Sequence, residues 1–201
     1  MLPLYLTKNI KNCKAIDMCA APGGKTFQLI NYGAEVYSIE KNVKRIKKLK
    51  DNLKRLKYKP IIKNIDALKI NDSEKYNLVV LDAPCSGIGT IRRNPDILFK
   101  EKKIYLQSVL DLQNNLLKKA NNILMKGGVL LYMVCSFLNK ETYMPINHFL
   151  SEHKNYSIDK FEGEKKYSSL IDSKGFINII PQKFNNLPID GFFAAKLKKN
   201  D

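Results

Sequence analysis

The chain is poor in the residues that hold structural metals. Its 201 residues include two histidines and four cysteines. Cys13, Cys19, Cys85 and Cys135 contain no C-x-x-C pair, and His148 and His153 lie far from them in sequence. That spacing argues against a zinc site. No apolar run approaches the roughly 18 residues of a membrane span. Residues 1–14 carry no secretory or amphipathic presequence pattern. The expectations are no metal, no membrane, and reduced thiols in an intracellular compartment, cytoplasmic or nuclear/nucleolar. Internal repeats and Gly/Ser/Pro-rich linkers are also lacking. The length suits one domain with a sizeable core, so residues 1–201 read as a single domain, expected to be a monomer.

Acidic residues are scarce as well. Asp and Glu number 19 against 35 Lys and Arg, a net charge of +16. Such an imbalance favours a polyanionic partner, nucleic acid first. The alternative is a lysine-rich composition spread over solvated faces.

What is present alternates strand with helix. Strands are expected near Ala15–Met18, Ala34–Ile39, Pro60–Ile65, Leu78–Leu81 and Val129–Val134. Helices are expected near Thr26–Asn31, Val43–Leu56, Ile104–Leu124 and Thr142–His153. This order predicts an α/β fold, a mostly parallel sheet with helices on both faces. In the second helix Val43, Ile46, Leu49, Leu53 and Leu56 form the apolar stripe. Lys44, Lys47, Lys48, Lys50, Lys54 and Arg55 form its solvated face. Asn121–Gly128 reads as a helix end and a Gly-Gly turn into a strand. Phe176–Ile180 and Phe192–Leu197 are strand-like, the last expected as an antiparallel edge.

Ligands of open parallel sheets bind at the carboxyl ends of the strands. Three groups of residues gather there. Residues 21–26 (Ala-Pro-Gly-Gly-Lys-Thr) make a tight turn where backbone can approach a ligand, followed at once by a helix N-terminus. This is not a Walker A loop, which needs glycine where Cys19 stands, nor a G-x-G-x-x-G fingerprint. Glu40 ends the second strand, where a carboxylate suits a ribose diol, and Asp66 ends the third, where it can accept from an adenine amino group. Cys85 and Cys135 each follow an apolar strand, Leu78–Leu81 and Gly128–Leu131. Together these groups point to a nucleoside-containing cofactor beside a thiol nucleophile.

At these residues the sequence resembles the RNA cytosine-5 methyltransferases of the Nop/Sun (Fmu) type. The resemblance rests on DMCAAPGGKT (17–26), LDAPCSGIGTIRRNPDI (81–97), the Cys-Ser pair at 135–136 and DGFFAAKL (190–197), and DNLKRL (51–56) resembles the bacterial small-subunit rRNA type. It implies a Rossmann-like methyltransferase fold with an antiparallel C-terminal strand. It implies S-adenosylmethionine bound by Cys19, Ala20, Ala21, Pro22, Gly23, Gly24, Lys25, Glu40, Asp66 and Asp82. It further implies Cys135 as the nucleophile and Cys85 as the cysteine that helps release product. Val134 stands where the family usually has Thr, and Asn139-Lys140-Glu141 where it usually has Pro and two acids. About a dozen residues precede the first motif, where family members carry an RNA-binding subdomain, so the chain reads as the catalytic domain alone.

The chemistry explains the residue types. C5 of cytosine is a poor nucleophile until a thiolate adds to C6 and turns the ring into an enamine. Cysteine suits this because its thiolate is soft and its pKa can be lowered locally. Asp82 is placed to protonate N3, and Cys85 to assist elimination. The base must be looped out or flipped to reach the crevice, and Arg92 and Arg93 are placed to hold flanking phosphates. The expected partner is rRNA or tRNA with an accessible cytosine. Competing readings are an RNA-binding module that has lost activity, a DNA cytosine-5 methyltransferase using Pro84-Cys85, and, weakly, a dehydrogenase.

Overall fold

The computed structural model describes residues 2–99 and 103–200, so the ends of the 1–201 reading, Met1 and Asp201, lie outside the described residues. Five strands are parallel: β1 (Lys14–Asp17), β2 (Glu35–Ile39), β3 (Ile61–Lys63), β4 (Tyr76–Asp82) and β5 (Leu124–Val134), in the spatial order β3-β2-β1-β4-β5. The chain moves outward from β1 to β3, then returns to β4 on the other side of β1. That reversal leaves a crevice at the carboxyl ends of β1 and β4, the switch point where ligands of such sheets bind.

Among the described residues five helices accompany the strands: α1 (Leu2–Tyr5), α2 (Gly24–Asn31), α3 (Val43–Leu56), α4 (Lys103–Ile123) and α5 (Tyr143–Glu152). Alternation along each strand sends residues to two cores. Ile16, Val79, Leu81, Leu130, Tyr132 and Val134 pack with Leu116, Leu117 and Ala120 of α4 and with Ile146 and Phe149 of α5. Ala15, Leu78, Val80, Leu131 and Met133 pack on the other face with Leu4 of α1 and Leu29 of α2. Burial on both faces is why residues 78–81 are an unbroken apolar run rather than an alternating one. A third cluster ties Ile46, Leu49 and Leu53 of α3 to Ala20 and Ala21 of the turn after β1. Helix α3 thus buries the middle of the expected stripe, while Val43 at its start is exposed and Leu56 at its end is half-buried. Val43 is in the first turn, beyond the reach of the sheet edge.

Two expectations at the C-terminal side need correcting. β10 (Phe192–Lys199) is antiparallel to β5, as expected, but it is not an edge. β6 (Tyr156–Ile158) and β7 (Ile177–Ile179) pair antiparallel along its far side, and β8 (Gln182–Phe184) forms a separate hairpin with β9 (Leu187–Ile189). The reason is visible in burial: Phe193, Ala194, Ala195 and Leu197 are all buried, a pattern that needs neighbours on both sides. The Gly-Gly turn is not a turn between elements either. β5 starts at Leu124, directly after α4, and Gly127 at φ 69 lies in an irregularity where the pairing shifts between Tyr76 and Leu78.

Phe193 locks this added layer to the parallel sheet. Its ring is 5.1 Å from Tyr143 of α5 and 5.5 Å from Phe176, both in edge-on arrangements. Such pairs add to the burial of the ring itself. Phe193→Ala is expected to cost about 3–5 kcal/mol in urea unfolding, and Phe193→Leu clearly less. Equal losses for the two would show that ring contacts contribute nothing there.

Candidate active site

The turn after β1 is built by packing. Gly23 sits at φ 114, and a Cβ there would overlap the ring of Phe27 and the Leu49 side chain. Its missing side chain makes room for the protein's own core. Gly24 then begins α2, whose first-turn N–H groups lack helical partners. Lys25, in that first turn, reaches across to form an ion pair with Asp82 at the end of β4. Asp17, at the end of β1, is 1% exposed and accepts a hydrogen bond from Thr26 Oγ1 at 2.8 Å, while Thr26 Oγ1 also lies 3.1 Å from Ser38 Oγ. Burial raises the Asp17 carboxyl to about 6, with the Thr26 bond opposing and the neighbouring Asp82 charge adding. Its Oδ1 is buried without a hydrogen-bond partner.

Next to this group is a small pocket of about 50 Å³, lined by Cys19, Glu40, Lys41, Arg45, Asp66 and Pro84 among others. Glu40 is 4% exposed. Its Oε1 accepts from Asn42 N at 2.8 Å; Arg45 Nη1 is 3.3 Å from Oε2, yet Oε2 has no hydrogen bond. Arg45 also donates to the Ala21 carbonyl, so it joins the turn after β1 to the end of β2. Asp66 caps the short helical turn Ala67–Lys69 through Leu68 N at 3.0 Å, and its Oδ2 is 3.5 Å from Lys41 Nζ. Burial, helped by the Asp17, Asp82 and Glu40 charges, pushes the Cys19 thiol up to about 12. Cys19 is therefore a neutral wall of this pocket, with no nucleophilic character.

The other two sulfurs meet. Cys85 Sγ and Cys135 Sγ are 3.1 Å apart. The hydrogen bond between them lowers the Cys135 pKa, against the opposing effect of burial. The same bond, with burial and the nearby Glu141 charge, raises Cys85. The contact thus favours the thiolate at Cys135 over the thiolate at Cys85. Behind them Glu141 is fully buried and accepts from Ser86 N at 2.6 Å and from Ser86 Oγ and Ser136 Oγ at 2.5 Å. Val134, one residue before Cys135, is fully buried in the core and pairs with Phe193 across the sheet. The side chain at 134 is a packing group, which any residue of that shape can be.

Arg92 and Arg93 are both turned to Asp190, at 3.3 and 2.6 Å. They tie the loop after Cys85 to the entrance of β10, with their outer edges exposed. Gly89 makes this crossing possible. Its N–H donates to Cys135 O at 3.0 Å and its carbonyl accepts from Gly191 N at 2.8 Å, and a Cβ would overlap the Gly191 carbonyl. A larger cavity, about 740 Å³, is elsewhere. It opens at the amino ends of β1 and β4, lined by Cys13, Asn77, Gly127 and Lys198 among others. Neither the pocket residues around Glu40 nor the cysteine pair line it. Among the described residues no group of His, Cys, Asp and Glu could hold a metal ion.

Sequence reading placed Lys25 in the glycine turn and Glu40, Asp66, Asp82, Cys85 and Cys135 at strand ends, and the fold brings these to the carboxyl side of the parallel sheet. It gave no part to Asp17, Thr26, Arg45, Gln113, Glu141 or Asp190. Asp17 could have been found as a carboxylate ending an otherwise apolar strand. For the others the signal is spatial, since each partner is distant in sequence or lies on another element.

Comparison with known proteins identifies the architecture. Residues 5–198 match the family model described as 16S rRNA methyltransferase RsmB/F. The chain is 34% identical over 199 residues to ribosomal RNA small subunit methyltransferase B of Photorhabdus laumondii, covering 96% of this chain and 44% of that protein. It is 35% identical over 199 residues to ribosomal RNA small subunit methyltransferase F of Aliivibrio fischeri, covering 92% and 40%. The solved structure of NSun6 from Pyrococcus horikoshii with SFG superposes with a TM-score of 0.81 at 27% identity, covering 100% of this chain and 52% of that one. The chain belongs to the RsmB/F methyltransferase family and has its Rossmann-like fold. It spans under half the length of the curated relatives described.

The buried Asp17 generates a pH prediction. Its folded pKa lies above the ordinary carboxylate value of about 3.9, so its contribution to stability is complete below that value and is lost as pH rises through about 6. Asp17→Asn removes this loss and keeps an acceptor for Thr26. In urea unfolding at a series of pH values, the variant should gain on wild type between pH about 4 and 6, by on the order of 2–3 kcal/mol, and the gap should then stay constant. Parallel curves throughout would contradict a raised Asp17 carboxyl.

Proposed function

We propose that this RsmB/F family domain makes 5-methylcytosine in RNA, rRNA or tRNA, from S-adenosylmethionine through a covalent bond between Cys135 and C6 of the base. The observation that carries the reading is the cysteine pair, its sulfurs 3.1 Å apart beyond the carboxyl ends of β4 and β5. The family description and the names of the relatives, rRNA methyltransferases B and F, support an RNA substrate. The SFG in the P. horikoshii structure is sinefungin, an analogue of S-adenosylmethionine, which supports the cofactor.

The residues suit that cofactor. Glu40 Oε2 is buried with no hydrogen bond, an acceptor in want of the donors a ribose diol supplies. Asp66 stands at the same pocket for an adenine amino group, and the turn Cys19–Lys25 closes its other side. Asp17, Glu40, Asp66 and Asp82 concentrate negative charge in an otherwise basic chain, which favours a ligand bearing an ammonium and a sulfonium. S-adenosylmethionine, when bound, supplies a methyl group on positively charged sulfur.

The remaining work falls to the chain. Cys135 adds to C6, and the Asp82–Lys25 pair holds the proton at N3. Once the Cys135 sulfur is bonded to carbon it is a weaker acceptor for Cys85, and the largest influence raising Cys85 is reduced. After methyl transfer Cys85 gives its proton to solvent and as a thiolate takes the C5 proton; the C5–H electrons form the C5–C6 double bond and the Cys135–C6 bond breaks, returning the Cys135 thiolate. Base catalysis by Cys85 thus follows the adduct in time. Arg92 and Arg93, held by Asp190, present their exposed edges to the phosphates flanking the target, and the charge of +16 draws the RNA in.

Two measurements check this. Glu40→Ala should weaken S-adenosylmethionine binding in calorimetry by about tenfold or more, as expected for loss of a charged acceptor worth ~1.5–3 kcal/mol. Unchanged affinity would remove Glu40 from the site. Given RNA and cofactor, Cys85→Ala should accumulate a protein–RNA species that survives denaturing electrophoresis, and Cys135→Ala should give neither this species nor methylated product. The species appearing with Cys135→Ala instead would reverse the roles and favour the DNA-type arrangement.

A further inference from the structure

The pairing of β4 with β5 ends at Asp82 and Met133. Beyond it the backbone is held at Ala83 N to Met133 O, 2.9 Å, and again only at Gly89 N to Cys135 O, 3.0 Å. Residues 84–88, which carry Cys85, bridge those two points without a ladder. Two side chains from other segments hold them, Gln113 at Pro84 and Glu141 at Ser86. Glu141 Oε1 accepts from Ser86 N at 2.6 Å and lies 3.4 Å from Gln113 Nε2. Its Oε2 accepts from Ser86 Oγ and from Ser136 Oγ, both at 2.5 Å. Ser86 follows Cys85 and Ser136 follows Cys135, so one carboxylate grips both cysteine loops at the residue next to the sulfur.

The grip is itself held. Tyr132 OH donates to Glu141 O at 2.7 Å, Glu141 N donates to Leu138 O at 2.9 Å, and Gln113 of α4 donates to Pro84 O at 2.8 Å. Gln113, Tyr132, Ser136 and Glu141 are all fully buried. Only a carboxylate offers enough lone pairs, with no hydrogens of its own, to accept all these donors at once. Burying it in a site whose donors are neutral is costly unless every bond is made. A carboxylate kept there, away from solvent, needs a reason beyond packing.

We propose that Glu141 is the positioning residue of the cysteine pair, fixing the spacing of Cys85 and Cys135 by holding Ser86 and Ser136 on one carboxylate. The proposal rests on the function proposed above only for what the spacing is used for; the clamp itself is a statement about geometry. Its charge has a further consequence, since it helps keep the proton on Cys85 while Cys135 acts.

The test reads the spacing directly. Diamide oxidises two neighbouring thiols to a disulfide, taking both protons and two electrons and becoming the hydrazine, at a rate set by how often the sulfurs meet. Wild type should form the Cys85–Cys135 disulfide readily, identified by peptide mass spectrometry. Glu141→Gln, which places an NH₂ against N–H and O–H donors, should slow it by on the order of tenfold, while S-adenosylmethionine affinity stays at the wild-type value. The same variant should lose kcat by on the order of 10–100-fold with KM for cofactor little changed, and Glu141→Asp, a shorter carboxylate, should fall between. If Glu141→Gln does not fold, Ser86→Ala combined with Ser136→Ala releases both loops and leaves the carboxylate in place, with the same slowing expected. Disulfide formation at the wild-type rate in whichever variant folds would overturn the clamp. So would slowed disulfide formation with unchanged kcat in an active enzyme. Should wild type methylate no RNA, the functional reading fails, and the disulfide rates alone decide for or against Glu141.

Discussion

The register of β4 against β5 is the constraint on which the rest depends. Asp82 pairs with Met133, so two loops leave the sheet side by side and their sulfurs, 50 residues apart in the chain, meet. A slip of one residue would turn every side chain of one strand to the opposite face. Leu81 would leave the α4 core, Asp82 would turn from Lys25, and the two thiols would part. The burial of both faces of β4 enforces the register, because no polar face exists to tolerate the slip. The irregularity near Gly127 lies at the far end of the pair, where shifts in pairing do not reach the site.

Charge is partitioned in the same molecule. Basic residues cover the outside, including the face of α3, and carboxylates gather at the ends of β1, β2, β3 and β4. Each of these four is restrained differently. Asp17 is held by Thr26, Glu40 by Asn42 N and Arg45, Asp66 by Leu68 N, and Asp82 by Lys25. The restraint leaves Asp17 Oδ1 and Glu40 Oε2 buried and without hydrogen bonds. Buried acceptors without hydrogen bonds are uncommon in a native fold.

The two thiols show how position divides labour between identical groups. Both are partly buried cysteines at strand ends, yet one hydrogen bond between them moves their pKa values in opposite directions. Glu141 adds to the asymmetry from behind Cys85. A single contact therefore sets two otherwise similar thiols apart.

Sequence alone determined the elements that chemistry of the backbone and local pattern dictate. The unbroken apolar run 78–81 announces a doubly buried strand, the 3.6-residue stripe of α3 announces its buried face, and the motifs around Cys85 and Cys135 announce strand ends in a crevice. Residues at those ends were legible because a parallel sheet delivers every strand terminus to one side. Tertiary structure alone decided which side chains then meet. It turned Arg92 and Arg93 onto Asp190, gave Gly23 a packing duty, buried Val134 in the core, put β10 inside the sheet, and brought Glu141 between two serines. These contacts join segments distant in the chain, and they depend on distances of a few ångströms set by packing. No periodicity or spacing in a linear sequence carries that information.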